Sequence, residues 1–398
     1  MIKAFFMICF KYLLRICYLP FRLLRQKNKI VFLSRQFPEA SKDFIMLKEE
    51  IKRISPETQV VILCKMIEKS FSEKVSYFFH MFKQMYHLAT SKAAVLDGYC
   101  ITACLLNHKK ELKIYQLWHA LGLLKNFAYS ALGSKEGTTS RTAKIMRMHK
   151  GYHRIICSSP HILNDISRCY DASPEIMMPI GLPRIDYLNS EKLMAETKAE
   201  IFDSIPWLNN GKPVILYVPT LRKNKEVESE KLENSVDLSR YNLVVKKHNG
   251  YEKILTDETI INDSDSFTGL EWLSAADYVV TDYSAIIFEA MVAKKPVFLY
   301  CYDRKSYDVD RGFAQPYDSI PAPKHENAKD IITEIDNFKE IPEETGEFLD
   351  KHVLARKIQP TKALAYMMVR EMQGETVDYE MLSQKFKAKS DSKIDILV

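Results

Sequence analysis

The sequence predicts an α/β protein of two doubly wound domains behind a basic, apolar leader. Three observations carry this reading. Runs near-continuous in Val, Ile and Leu recur at 29–33, 59–64, 93–97, 112–117 and 154–158. A second set follows at 213–218, 242–247, 277–281 and 296–301. Such runs, unlike alternating ones, mark strands buried on both faces of a parallel sheet. Helix-length stretches separate them at 40–53, 70–90, 160–170, 284–294 and 326–338, the alternation of a doubly wound fold. The two sets part across 181–212, which contains Gly181-Leu182-Pro183-Arg184 and Asn209-Asn210-Gly211-Lys212-Pro213. The 398 residues suit about two domains. The expected divisions are a leader over 1–28, domains over 29–182 and 183–375, and a polar tail over 376–398.

The leader accounts for the charge. Lys and Arg number 57 and Asp and Glu 51, so the net charge is +6. Lys3, Lys11, Arg15, Arg22, Arg25, Lys27, Lys29 and Arg35 precede the first acidic residue, Glu39, so the rest of the chain sums to 6 − 8 = −2. A nearly neutral body disfavours a general nucleic-acid binder. The apolar run Ala4–Phe10 is interrupted by Lys11 and Arg15, and it falls short of the roughly 20 apolar residues of a spanning helix. No small-residue cleavage site follows it. The expectation is an amphipathic helix on an anionic membrane surface. Phe5, Phe6, Phe10, Leu13 and Leu14 supply apolar area, and each basic residue adds about 1 kcal/mol near such lipid. Eight dispersed cysteines, with no C-x-x-C pair, suit a reduced compartment and no zinc site.

In open α/β sheets ligands sit at the carboxyl ends of strands. That rule selects Gln116 to Gly122, Tyr217 to Arg222, Val245 to Asn249 and Thr281 to Ser284. His119 ends a strand of the first half and is a candidate general base. His248, beside Lys246 and Lys247, is its counterpart in the second half. Lys246 and Lys247 cannot both face one ligand from an extended strand. Asp282 or Ser284 can cap the helix expected at 284–294, whose first N–H groups can hold a phosphate, with the Ser284 hydroxyl the better contact. Glu289 suits a ribose contact. Arg184, Arg222 and Arg311 sit in turn-like settings and are candidates for bidentate phosphate recognition. There is no Walker A loop, G-x-G-x-x-G or H-E-x-x-H, which argues against P-loop ATPases, classical dehydrogenases and zincins.

Taken together these segments resemble the CDP-glycerol glycerophosphotransferase family, the enzymes that prime or polymerise teichoic acids and related phosphopolymers. The resemblance spans about 90–370. It is carried by Thr281-Asp282-Tyr283-Ser284-Ala285-Ile286-Ile287-Phe288-Glu289, then Lys295-Pro296-Val297, Tyr302-Asp303 and Arg311-Gly312-Phe313. Trp118-His119 matches the family's W-H-G, Pro219-Thr220 with Arg222 its P-T-x-R, and Gly181 to Arg184 its G-x-P-R. Ala120, Ala285, Asn249 and Glu289 depart from the commoner Gly, Ser, Pro and Asp.

The resemblance implies a glycosyltransferase-B architecture of two Rossmann-like domains, the first on the acceptor side and the second on the donor side. It places donor contacts at Trp118, Ala120, Leu121, Gly122, Arg184, Pro219, Thr220, Lys246, Lys247, His248, Ser284, Ala285 and Glu289. The implied reaction is transfer of a polyol phosphate, glycerol phosphate first, from a CDP-activated donor to a hydroxyl of a membrane-linked acceptor, with release of CMP. The acceptor would be a lipid-linked saccharide or a growing polymer, in teichoic acid or capsule synthesis. His119 would be the base. His248, a neighbouring lysine and Ser284 would stabilise phosphate charge, and Arg184 and Arg311 would clamp the diphosphate. No metal, cofactor or nucleic acid is expected, and the enzyme would lie at the cytoplasmic face of the membrane. The alternatives are a CDP-ribitol-using enzyme and a nucleotide-sugar glycosyltransferase on the same fold.

Overall fold

The buried apolar runs form two separate parallel sheets. The computed structural model describes residues 2–67, 70–135, 137–220, 229–246, 260–262 and 267–388. The first sheet contains β1 (Lys29–Ser34), β2 (Gln59–Cys64), β3 (Ala93–Leu96), β4 (Lys113–Gln116), β5 (Arg154–Ile156) and β6 (Met177–Met178), in the order β2-β1-β3-β4-β5-β6. Every pairing is parallel, as continuous apolar strands require. Val31, Leu33, Ala94, Leu96 and Ile114 share one buried cluster in this unit.

The second sheet contains β7 (Val214–Val218), β8 (Asn242–Val245), β9 (Ile260–Asn262), β10 (Tyr278–Thr281), β11 (Val297–Tyr300) and β12 (Lys324–His325), ordered β12-β11-β10-β7-β8-β9. It too is parallel throughout. Ile215, Tyr217, Leu243, Val280 and Phe298 join Ile331 and Ile335 of the helix Ala328–Asp336 in its core. The nine expected strands are present. The additional three, β6, β9 and β12, are two or three residues long and lie at sheet edges, where no long apolar run is needed.

The units do not follow a single cut near 182. The first comprises Met1–His119, Asn126–Asp186 and Leu354–Ser390; the second contains Ala120–Lys125 and Tyr187–Val353. The expected domain 183–375 therefore needs correction, because its last part folds with the first unit. The physical reason is the helix Pro360–Met372. It buries Ala363, Leu364, Met367 and Met368, and it carries Glu371 to a buried cluster on the first sheet. Arg154 holds Glu371 through two nitrogens at 3.0 and 2.8 Å, the Tyr115 hydroxyl donates at 2.7 Å, and His153 lies at 3.0 Å. The expected polar tail contributes a further helix, Tyr379–Lys385, with Leu382 buried.

The leader is one helix, α1 (Ile2–Arg22), with Pro20 in its last turn. By length and composition it is apolar enough to cross a membrane, contrary to the expectation that Lys11 and Arg15 cut it short. Arg15 is accommodated by donating from Nε to the Leu105 carbonyl at 2.9 Å. Leu14 and Tyr18 are buried against Tyr77, Met81 and Met85, and the Tyr18 hydroxyl meets His108 Nδ1 at 2.9 Å. Lys29 is not part of the leader's free charge. It is buried beside Thr90 and His87, and burial lowers its pKa to about 8. Two further helices of this unit matter below: α2 (Lys42–Ile54), capped by Ser41, and α3 (Phe71–Thr90), capped by Ser70.

Candidate active site

In the first unit the carboxyl ends of β1, β3 and β4 bring Ser34, Asp97 and His119 to one edge. Trp118 leaves β4 with a left-handed backbone, φ 67°, which is costly for a bulky residue. Its indole is held against Phe127, with ring centres 4.4 Å apart and 18° between planes, and Tyr170 and His149 meet it edge-on. His119 packs on Trp118, with ring centres 4.0 Å apart and 35° between planes. Its Nδ1 is 3.1 Å from the Asp97 carbonyl. A carbonyl can only accept, so Nδ1 carries the proton and Nε2 is the basic nitrogen.

The peptide of His119 is also held. Arg184 Nη1 donates to its carbonyl at 2.9 Å. Arg184 in turn is gripped by Asp43 of α2, whose carboxylate accepts from the Arg184 backbone N–H at 2.7 Å, from Nε at 2.9 Å and from Nη2 at 2.5 Å. Gly181 makes this turn possible: φ is 74°, and a Cβ there would lie 2.6 Å from the Ala355 Cβ. All three guanidinium nitrogens of Arg184 thus meet groups of its own unit.

Asp97 was not singled out from the sequence. It is 5% exposed, and among the described residues neither carboxylate oxygen has a hydrogen-bond partner. Burial pushes its pKa up to about 6; the nearby Ser34 hydroxyl opposes the rise and Asp43 adds to it. His149 is buried too, with φ 53°, and meets the Tyr152 hydroxyl at 2.8 Å. Burial, with Arg35 and His119 nearby, lowers its pKa to about 3, so it is neutral.

In the second unit the carboxyl ends of β7, β8, β10 and β11 gather the other candidates. Asp282 organises them. It is fully buried and accepts from Thr220 N–H at 3.0 Å, from the Thr220 hydroxyl at 2.6 Å and from Tyr283 N–H at 2.5 Å. This corrects one expectation. Asp282 ties the Pro219-Thr220 turn to the exit of β10 and does not cap the following helix. That helix begins at Ile286, with Ala285 at its N-cap and no side-chain cap. Ser284 and Ala285 are half-buried on the short exit between β10 and the helix, and Glu289 is buried inside it.

Tyr283 stacks on Tyr307 at 4.1 Å between centres, packs with Phe313 and Tyr317, and donates to Asp303 at 3.1 Å. This aromatic group carries the Arg311-Gly312-Phe313 loop, leaving Arg311 half-buried. Lys246 follows β8, its N–H donating to the Tyr217 carbonyl at 2.8 Å. Arg222, Lys247 and His248 lie outside the described residues.

Ala120, Leu121 and Gly122 belong to this second unit. Leu121 is buried, and a Cβ on Gly122 would lie 2.5 Å from the Phe288 ring. Gly122 is therefore a packing glycine under Phe288. Among the described residues no group of three or more His, Cys, Asp or Glu is placed to hold a metal.

Residues 16–354 match the model of the family described as CDP-Glycerol:Poly(glycerophosphate) glycerophosphotransferase. The chain belongs to this family. Among relatives, the teichoic acid ribitol-phosphate primase of Bacillus spizizenii is 27% identical over 330 residues, covering 79% of this chain and 84% of that protein. The teichoic acid glycerol-phosphate primase of Bacillus subtilis is 28% identical over 266 residues, covering 64% and 68%. A solved structure of the wall teichoic acid polymerase TagF, in a form soaked with CDPG, superposes with a TM-score of 0.74 at 18% identity, covering 94% of this chain and 99% of that one. That likeness bears out the glycosyltransferase-B-type fold expected from the sequence.

Proposed function

We propose that the protein transfers a polyol phosphate from a CDP-activated alcohol to an acceptor hydroxyl, releasing CMP. Membership of the family supports the reaction class, and primases and polymerases of teichoic acids are the relatives. The observation that carries the mechanism is His119, whose Nδ1 donates to the Asp97 carbonyl, so that Nε2 is the unprotonated nitrogen of the neutral ring. The acceptor hydroxyl gives its proton to Nε2 as its oxygen bonds to the β-phosphorus. The phosphoanhydride bond breaks, and CMP leaves with the electron pair. Ser284, Ala285, Lys246 and Arg311, with Arg222, Lys247 and His248, are the proposed donor-side groups. They would hold the phosphates and spread the developing charge. Loss of CMP release from CDP-glycerol and CDP-ribitol on His119→Ala tests the assignment; near-normal kcat would remove His119 as base.

The donor alcohol has two readings. The glycerol-phosphate primases support glycerol. The ribitol-phosphate primase, matched over most of both chains, supports ribitol. Comparing kcat/KM for the two donors decides between them.

The proposed acceptor is membrane-linked, and α1 is the proposed contact with the cytoplasmic membrane face. Its outward residues Phe5, Phe6, Tyr12, Ile16 and Leu19 are exposed, while Leu14 and Tyr18 pack on the protein. A helix pinned along one face suits lying on a bilayer. On α3, Phe71 and Phe79 are exposed as well. Phe5→Gln with Phe6→Gln should reduce sedimentation with anionic vesicles and leave turnover on a soluble acceptor unchanged. Undiminished sedimentation would remove α1 as the contact.

A further inference from the structure

We infer that Asp43, acting through Arg184, is a positioning residue that fixes the orientation of His119. The inference rests on His119 being the base of the proposed transfer. Three observations meet at this residue. The imidazole is oriented by a hydrogen bond from Nδ1 to the Asp97 carbonyl. The peptide that carries it follows Trp118, whose left-handed backbone is unfavourable and persists only if its surroundings hold it. The group that holds the His119 carbonyl is the Arg184 guanidinium, at 2.9 Å.

Arg184 could not do this alone. A guanidinium that is 11% exposed needs a counter-charge, and Asp43, 5% exposed, supplies it. Asp43 also accepts the Arg184 backbone N–H, so one carboxylate fixes both the main chain and the fork of the arginine. Asp43 in turn is placed by the first turn of α2, where Ser41 accepts the Phe44 N–H and a negative side chain is favoured. The chain of contacts runs from a helix N-terminus through a carboxylate and an arginine to the histidine carbonyl, and all of it lies within one unit. Neither Asp43 nor Arg184 needs to touch the donor to affect the reaction. Their effect is on which way Nε2 points when the acceptor hydroxyl arrives, and misplacement of about 1 Å can cost about a hundredfold in rate.

The test uses the full chain as parent, Asp43→Asn and Arg184→Lys. Asn keeps the size of Asp43 and can still accept the main-chain N–H. Lys keeps the charge of Arg184 and loses the fork, so the second variant remains informative if the first folds poorly. The readout that a merely structural role would not move is the nitrogen-15 shift pattern of the His119 ring, which reports its tautomer. The parent should show the Nδ1–H form, and each variant a mixture with Nε2–H. CMP-release kinetics should show kcat lowered about 10- to 100-fold with KM for the CDP-polyol within about twofold. A parent-like tautomer with parent-like kcat in either folded variant overturns the inference, as does an effect confined to KM. If the parent releases no CMP from CDP-glycerol or CDP-ribitol, the transfer reading fails, and the tautomer pattern alone decides the positioning role.

Discussion

Replacing Asp97 with Asn should stabilise the first unit at neutral pH and do so less as the pH falls. The Asp97 carboxylate is buried, with no hydrogen-bond partner on either oxygen among the described residues, and burial raises its pKa from 3.8 to about 6. A raised carboxyl pKa means that the folded state binds the proton more tightly than the unfolded chain. Stability from this group is therefore full below about 4 and is lost as the pH rises through 6. The interval from 3.8 to about 6 spans about 2 pH units, which at about 1.36 kcal/mol each gives roughly 3 kcal/mol of penalty at pH 7.5. Asn cannot ionise and escapes that penalty, although its buried amide carries a constant cost of its own. The informative quantity is thus the pH dependence of the difference. In urea unfolding followed by tryptophan fluorescence, the variant should gain about 2–3 kcal/mol on the parent between pH 4 and 7.5. A difference that stays flat across this range refutes the reasoning, because it would mean that Asp97 is already ionised at no cost in the fold.

Three other outcomes follow from the same structure. Glu371→Ala removes the buried carboxylate that accepts from the half-buried Arg154 and from Tyr115, and should destabilise the first unit by about 1.5–3 kcal/mol in urea unfolding, more than a surface pair would. Gly122→Ala forces a methyl group against the Phe288 ring and should lower stability by about 1–3 kcal/mol, measured as a lower unfolding midpoint of the second unit. His87, His108 and His149 have pKa values lowered by burial to about 4, 4 and 3. The unfolded chain binds those protons first, so stability should fall as the pH drops from 6.5 towards 4, and His149→Gln should flatten part of that fall in an acid titration followed by circular dichroism.

The central strands were legible because a strand covered on both faces must be apolar along its length; 29–33, 93–96 and 214–217 have no other use for such runs. The edge strands Met177–Met178 and Lys324–His325 were not, since two residues carry no periodicity. Lys11 and Arg15 read as breaks in an apolar stretch, yet a charge at the rim of a helix costs little when a carbonyl such as that of Leu105 receives it. His119, Ser284 and Arg311 could be selected because strand ends and turns place ligand groups. The roles of Asp43, Asp97 and Asp282 could not. Each acts on a residue tens to more than a hundred positions away, or in Asp97 through a carbonyl that every residue possesses. Arg184 illustrates the limit well: an arginine in a turn suits phosphate and carboxylate equally, and only the fold shows Asp43 beside it.

The return of residues 354–388 to the first unit bears on how the chain is made. A ribosome finishes β1 to β6 long before it reaches Glu371, so Arg154, His153 and Tyr115 emerge without the carboxylate that joins them. Until residues 360–372 appear, the first sheet has α2 uncovered along the side where the helix Pro360–Met372 will dock. The second unit has all of its strands, β7 to β12, complete by then. The order of synthesis and the order of completion are therefore opposite, and the half that carries His119 is the later of the two to close.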